Sequence, residues 1–206
     1  MAGIFITFEG GDGSGKTTQL SLLHRYLTER GQDVLLTREP GGTDVGVEIR
    51  NLVMHRRGFL APRAEALLYA ADRAHHIFTV VRPALAEGKV VLQDRYLDSS
   101  VAYQGAGRVL AEQEIRDLSL WATEGLLPDL TLVLDVPAHI SRQRRDQDDR
   151  VFDRLEAEGD DFHERVREAY HRLADVEPER IVILDGTAAI DVIHRQIIER
   201  VSALLD

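Results

Sequence analysis

The sequence contains no cysteine. Disulfides, thiolate metal sites and a cysteine nucleophile are therefore excluded, and the absence fits a reducing compartment. No apolar run approaches the roughly 20 residues a membrane-spanning helix needs. The opening Met-Ala-Gly leads directly into Ile4-Phe5-Ile6-Thr7-Phe8, which is too short for a signal-peptide core and has no basic flank. These features predict a cytoplasmic protein. Lysine is scarce as well: Lys16 and Lys89 are the only two among 25 basic residues. A formal net charge of −10 argues against broad electrostatic binding to nucleic acid or an anionic membrane.

The arginines are unevenly placed, with Arg142, Arg144, Arg145, Arg150 and Arg154 crowded together. An acidic protein with such a cluster suits a small anionic ligand. A solvated helix face paired with Asp146, Asp148, Asp149 and Asp153 accounts for the same residues, and composition alone favours it. The length of 206 residues fits a single domain over 1–206.

Short apolar, β-branched runs alternate with helical periodicity. Ile4–Phe8, Val34–Thr37, Val90–Asp94, Leu130–Val136 and Ile181–Asp185 read as buried strands. Their near-continuous apolar character suits a parallel sheet covered on both faces. Helices are expected over Thr18–Arg30, Pro62–Val81 (ending before Pro83), Glu112–Glu124, Phe162–Ala174 and Ile190–Leu205. The pattern is a three-layer α/β/α fold on a central five-stranded parallel sheet. The polar stretch Asp146–Asp161 is the expected mobile piece, a small lid over about 142–160.

Gly10-Gly11-Asp12-Gly13-Ser14-Gly15-Lys16-Thr17 fits G-x-x-x-x-G-K-[ST] without mismatch. A strand precedes it and an amphipathic helix follows. Glycines let the backbone wrap phosphate oxygens with N–H donors at a helix N-terminus. Lys16 is expected at the β- and γ-phosphates of a nucleotide, Thr17 on Mg²⁺, and Thr18 beside them. Asp94, at the end of the third strand, is the expected second Mg²⁺ determinant, with Asp135 and Asp185 as strand-end rivals. A GTPase base-recognition run N-K-x-D is absent, and a small-molecule kinase fits the chain length.

Four segments carry a resemblance. Thr37-Arg38-Glu39-Pro40-Gly41-Gly42-Thr43, Tyr69-Ala70-Ala71-Asp72-Arg73-Ala74-His75, Asp94-Arg95-Tyr96 with Ser99-Ser100 and Tyr103-Gln104-Gly105, and Asp153-Arg154-Leu155-Glu156 follow one another in order. Together with the phosphate loop they resemble the bacterial thymidylate kinases. The resemblance implies transfer of the ATP γ-phosphoryl group to dTMP, with Mg²⁺, in a homodimer. It implies Arg95 at the dTMP phosphate with Arg38 as helper, although a salt bridge to Glu39 is an alternative for Arg38. It further implies Tyr69 stacked on thymine, Arg73 at its O4, Ser100 (beside Ser99) at the base edge and Asp12 on the 3′-hydroxyl. Tyr103 would exclude a 2′-hydroxyl, with Gln104 beside it. On the donor side it implies Arg144 and Thr187 around adenine, and a cis bond at Glu39–Pro40. Arg145, Arg150 and Arg154 are the lid candidates for the transferred phosphoryl group. A kinase for another nucleotide or a deoxynucleoside, and an ATP-hydrolysing switch, are the competing functions.

Overall fold

The computed structural model describes residues 3–56, 58–146 and 154–205, with only the backbone of Arg145 and Asp146. Five strands, β1 (Ile4–Gly10), β2 (Val34–Arg38), β3 (Val90–Asp94), β4 (Leu130–Asp135) and β5 (Ile181–Asp185), form one parallel sheet in the order β2-β3-β1-β4-β5. The apolar runs are nearly continuous because both faces are covered. On one face, Ile6, Phe8, Leu92 and Leu132 pack against Leu20, Leu23 and Leu27 of α1 (Lys16–Thr28) and Ile193, Ile197 and Val201 of α9 (Ile190–Leu205). On the other, Phe5 and Val91 meet Ile77, Val81 and Tyr96, and Val133 meets Val166, Ala169 and Tyr170 of α8 (Asp160–Val176).

The strand and helix expectations hold to within a few residues, with one correction. The third helix does not end before Pro83. Helix α3 (Pro62–His76) passes through a wide turn (Ile77–Val81) into α4 (Arg82–Ala86). Pro83 sits in the first turn of α4, where a missing N–H is tolerated. Three helical pieces lack a clear apolar stripe in the sequence: α2 (Asp44–Arg50), α5 (Leu97–Ser100) with its wide-turn continuation Val101–Gly107, and α7 (Ala138–Asp146). Between them lies α6 (Glu112–Ala122), which packs on α3 and on 101–107. Helix α2 is started by Thr43, whose hydroxyl accepts from Gly46 N at 2.9 Å, a side-chain N-cap.

The crossovers put the C-terminal ends of β1 and β3 side by side, with Phe8 opposite Asp94. Loops leaving adjacent strand ends on this edge form the crevice in which open parallel sheets bind ligands.

Candidate active site

The turn after β1 is built from left-handed glycines. Gly10, Gly13 and Gly15 have φ of 121°, 79° and 98°. At Gly10 a β-carbon would also lie 2.4 Å from the Leu134 carbonyl oxygen, so the loop could not lie this close to β4 with any side chain there. The loop opens α1, and Lys16 Nζ donates to the carbonyls of Gly10 and Gly11 at 3.1 and 2.8 Å. Burial lowers the Lys16 pKa and Arg95 adds to this, against the opposing pull of Asp94, Asp12 and Glu9. In the loop Gly10 and Ser14 are buried and Gly11 is half-buried, while Thr17 and Thr18 are exposed at the helix start.

A cleft of about 600 Å³ joins this loop to the motifs from the rest of the chain. Asp12, Lys16, Thr17, Thr18, Asp94 and Arg144 line its phosphate-loop side. Arg38, Tyr69, Arg73, Arg95, Ser99, Ser100, Tyr103 and Gln104 line the other. Arg144 Nη2 donates to Gly186 O at 3.0 Å and its Nη1 to Gly13 O at 3.4 Å, tying the loop after β5 to the phosphate loop. Thr187, in that loop, is exposed and donates through N and Oγ1 to Asp185 at 2.9 and 2.6 Å.

Arg95 occupies the middle of the cleft. Its φ of 66° is a left-handed conformation that costs a non-glycine residue about 1–2 kcal/mol. Its guanidinium donates to Asp12 Oδ1 at 2.7 Å, Ser99 Oγ at 3.1 Å and Tyr103 Oη at 3.2 Å. The turn is held from beneath by Glu9, fully buried at the end of β1. Glu9 accepts from Tyr96 N at 2.7 Å, Ser99 N at 3.3 Å, Tyr170 Oη at 2.8 Å and the Ser99 hydroxyl. Burial, with Asp98 adding, pushes the Glu9 carboxyl up to about 7, while Arg95 and the hydroxyl donors pull it down.

The motifs on the other side interlock through Glu39. Arg73 Nε donates to Glu39 Oε2 at 2.9 Å, and His76 Nδ1 lies 2.9 Å from Oε1. Thr37 Oγ1 is 2.7 Å from the other His76 ring nitrogen. Both Glu39 oxygens are thus engaged by α3 and not by its chain neighbour Arg38. Arg73 continues to Ser119 Oγ, Tyr96 O and Ser100 Oγ, each at 3.1 Å, so a fully buried guanidinium is nearly saturated. Tyr69 lies one turn before Arg73 on the same helix face. The Glu39–Pro40 bond is cis.

Asp94 and Thr17 suit Mg²⁺. Asp94 Oδ1 is buried without a hydrogen-bond partner beside the phosphate loop, and a carboxylate oxygen so placed fits a hard cation. Among the described residues no cluster of three histidine or acidic side chains could cage a metal.

The lid arginines divide. Arg150 and the Arg145 side chain lie outside the described residues. Arg154, expected at the donor phosphates, is instead engaged beside α3: its Nη2 pairs with buried Glu65 and its Nε donates to Val53 O at 2.9 Å. The reason is electrostatic, since Glu65 is fully buried and requires a cation. Leu155 and Glu156, which follow Arg154, line the cleft. Sequence reasoning missed Glu9, Glu39 and Glu65 as organisers. Glu9 had a signal, an acid inside an apolar strand, and so did Glu65, four residues before Tyr69 on one helix face.

Comparison with known proteins agrees with this geometry. A family model described as thymidylate kinase matches residues 8–197. The thymidylate kinase of Clavibacter sepedonicus is 63% identical over 205 residues, covering 100% of this chain and 97% of that protein. The thymidylate kinase of Bifidobacterium longum strain NCC 2705 is 50% identical over 197 residues, covering 94% of each. The crystal structure of thymidylate kinase from Ehrlichia chaffeensis superposes with a TM-score of 0.79 at 32% identity, covering 98% of this chain and 99% of that one. The chain belongs to the thymidylate kinase family of P-loop nucleoside monophosphate kinases.

Proposed function

We propose that the protein transfers the γ-phosphoryl group of ATP to dTMP, giving dTDP and ADP, within one P-loop kinase domain. The observation that carries this reading is the position of Arg95, between the phosphate loop and the Tyr69–Arg73 helix and in contact with Asp12. An acceptor phosphate is already mostly dianionic at neutral pH, because its second pKa is about 6. No general base is required, and the chemical problem is to hold two anions together. Lys16 and the loop N–H groups bind the donor phosphates, and Arg95 with Arg38 binds the acceptor phosphate in a geometry that suits guanidinium forks. Mg²⁺, when held by Thr17 and Asp94, neutralises charge on the donor oxygens.

Tyr69 offers an aromatic face to thymine, Arg73 and Ser100 offer donors to its edge, and Asp12 accepts from the 3′-hydroxyl. Tyr103, near-buried and fixed by Arg95 and Asp12, fills the space a 2′-hydroxyl would need. Arg144 and Thr187 border the adenine side.

We infer a homodimer from an apolar stripe. Leu67, Ala71 and Phe78 recur at helical spacing on α3 and its continuation, all exposed, and Trp121 on the adjoining α6 is 80% exposed. No helix among the described residues is long and apolar enough to cross a membrane. The acidic charge and this fold support a cytoplasmic enzyme that does not bind nucleic acid.

An acceptor screen by coupled ADP release tests the reading. The order dTMP, dUMP, UMP is expected, with the missing methyl costing about 1–3 kcal/mol in kcat/KM. Equal kcat/KM for dTMP and dCMP would overturn the thymine pocket, and ATP turnover without an acceptor would favour a switch.

A further inference from the structure

Three side chains converge on one carboxylate that does not itself line the cleft. Glu65, on α3, is fully buried. Its Oε1 accepts from Gln104 Nε2 at 2.9 Å and Arg108 Nε at 3.4 Å, and its Oε2 accepts from Arg154 Nη2. Glu65, Tyr69 and Arg73 stand at positions i, i+4 and i+8, so Glu65 shares their helix face, one turn further from Arg73. Arg108 also pairs with Glu158, which gives two carboxylates and two guanidiniums in mutual neutralisation.

We propose that Glu65 is a positioning residue of the acceptor site, and that its ion pair with Arg154 latches residues 154–156 onto the nucleoside monophosphate pocket. This rests on the assignment of the Tyr69–Arg73 side as the dTMP pocket. Arg154 is held three times: its side chain by Glu65 and by Val53 O, and its backbone N by Met54 O at 3.2 Å. The two residues that follow, Leu155 and Glu156, are thereby set into the cleft wall, opposite elements far away in sequence. Gln104, another wall residue, is oriented by the same carboxylate. A planar fork suits Arg154, because it must meet a backbone carbonyl and a carboxylate at once.

A lid arginine serving the donor phosphates and one serving this latch have opposite kinetic signatures. The former changes the chemical step, and the latter changes acceptor binding. The test uses calorimetric dTMP titration and steady-state kinetics on the full chain, with Arg154→Ala, Arg154→Lys and Glu65→Gln. Arg154→Ala and Glu65→Gln should each weaken dTMP binding about tenfold or more, with KM for ATP changed less than about twofold. Arg154→Lys should be intermediate, keeping the charge and losing the fork. The double variant Glu65→Gln/Arg154→Ala should be weakened by less than the product of the two single effects, since the two share the Glu65–Arg154 pair.

Arg154 is partly exposed in a turn, so its variants decide the matter even if Glu65→Gln does not fold. Unchanged dTMP affinity in Arg154→Ala, with or without a fall in kcat, would overturn the latch. Absence of dTMP binding by the unaltered chain would instead overturn the acceptor assignment.

Discussion

The side of the cleft we assign to the donor is built largely from one contiguous loop, Asp12 to Thr18, whereas the side we assign to the acceptor is assembled from distant side chains gathered by two buried carboxylates, Glu39 and Glu65. The donor cradle lies in one contiguous stretch, so its geometry follows from local conformation: left-handed glycines and a helix N-terminus. The acceptor pocket depends on pairs far apart in sequence, 34 residues for Glu39–Arg73 and 89 for Glu65–Arg154. A backbone cradle can lose a side chain without losing its shape. A pocket held by buried ion pairs cannot, because removing one partner leaves a charge stranded away from water.

The largest effect expected from this contrast is kinetic and on the donor side. Lys16→Ala should lower kcat by about 10³-fold or more, while thermal unfolding stays near that of the unaltered chain. Near-native turnover would show that the phosphate loop is not the donor site. The mirror image is Glu39→Ala. It strands the Arg73 guanidinium and the His76 ring, and should destabilise the fold by about 3–5 kcal/mol in denaturant titration. If Glu39→Ala unfolds at the same denaturant concentration as the unaltered chain, the acceptor pocket is not held together by charge.

A smaller effect concerns what closes the donor side. The loop interior Asp12-Gly13-Ser14-Gly15 carries no arginine, yet charge spreading over the transferred phosphoryl oxygens must be balanced. With Arg154 engaged at Glu65, the remaining lid candidates are Arg145 and Arg150. At least one of Arg145→Ala and Arg150→Ala should lower kcat by about two orders of magnitude in single-turnover measurements. Its dTMP affinity should change little, the opposite of Arg154→Ala. Wild-type turnover in both would move suspicion to Arg38.

The same contrast explains what could be read from the residues alone. The phosphate loop, the five strands and the large amphipathic helices repeat local rules, and each was legible at its own position. The roles we propose for Tyr69, Arg73, Arg95 and Tyr103 rest on the resemblance of four segments to a family, and their local spacing alone does not announce them. Nothing in the spacing of Glu39 and Arg73 announces a buried pair. The π-like turn at Ile77–Val81 and the helix through Pro83 were missed because a proline in a first helical turn looks like one that ends a helix. Chain position groups Arg154 with its neighbours, although its charge is claimed by Glu65 of α3.

Between the two sides stands Glu9, and it supplies the smallest effect. Its carboxyl, pushed up to about 7 mainly by burial, is surrounded by Arg95 from the β3–α5 turn, by Asp98 and Ser99 from α5 and by Tyr170 from α8. Lys16 and Tyr103 also feel its charge. In the unfolded chain the group returns to about 4.5. Between these values the folded state binds the proton that the unfolded state has released. Stability from this group is therefore fully present below about pH 4.5 and is lost as pH rises through 7. Between pH 6 and 8 the loss should amount to about 1 kcal/mol, or roughly 2–4 °C in Tm for a chain of this size. Glu9→Gln has no proton to release. Its Tm differs from the unaltered chain by a constant for lost hydrogen bonds, plus a pH-dependent part that comes from Glu9 alone. Other groups, including Asp72, raised by burial to about 6, titrate in both proteins and cancel in the difference. The gap between the two Tm curves should therefore shift in favour of Glu9→Gln as pH rises from 6 to 8. Parallel curves would mean that Glu9 is ionised throughout, with its four donors outweighing burial, and the Arg95 turn would then rest on a permanent carboxylate.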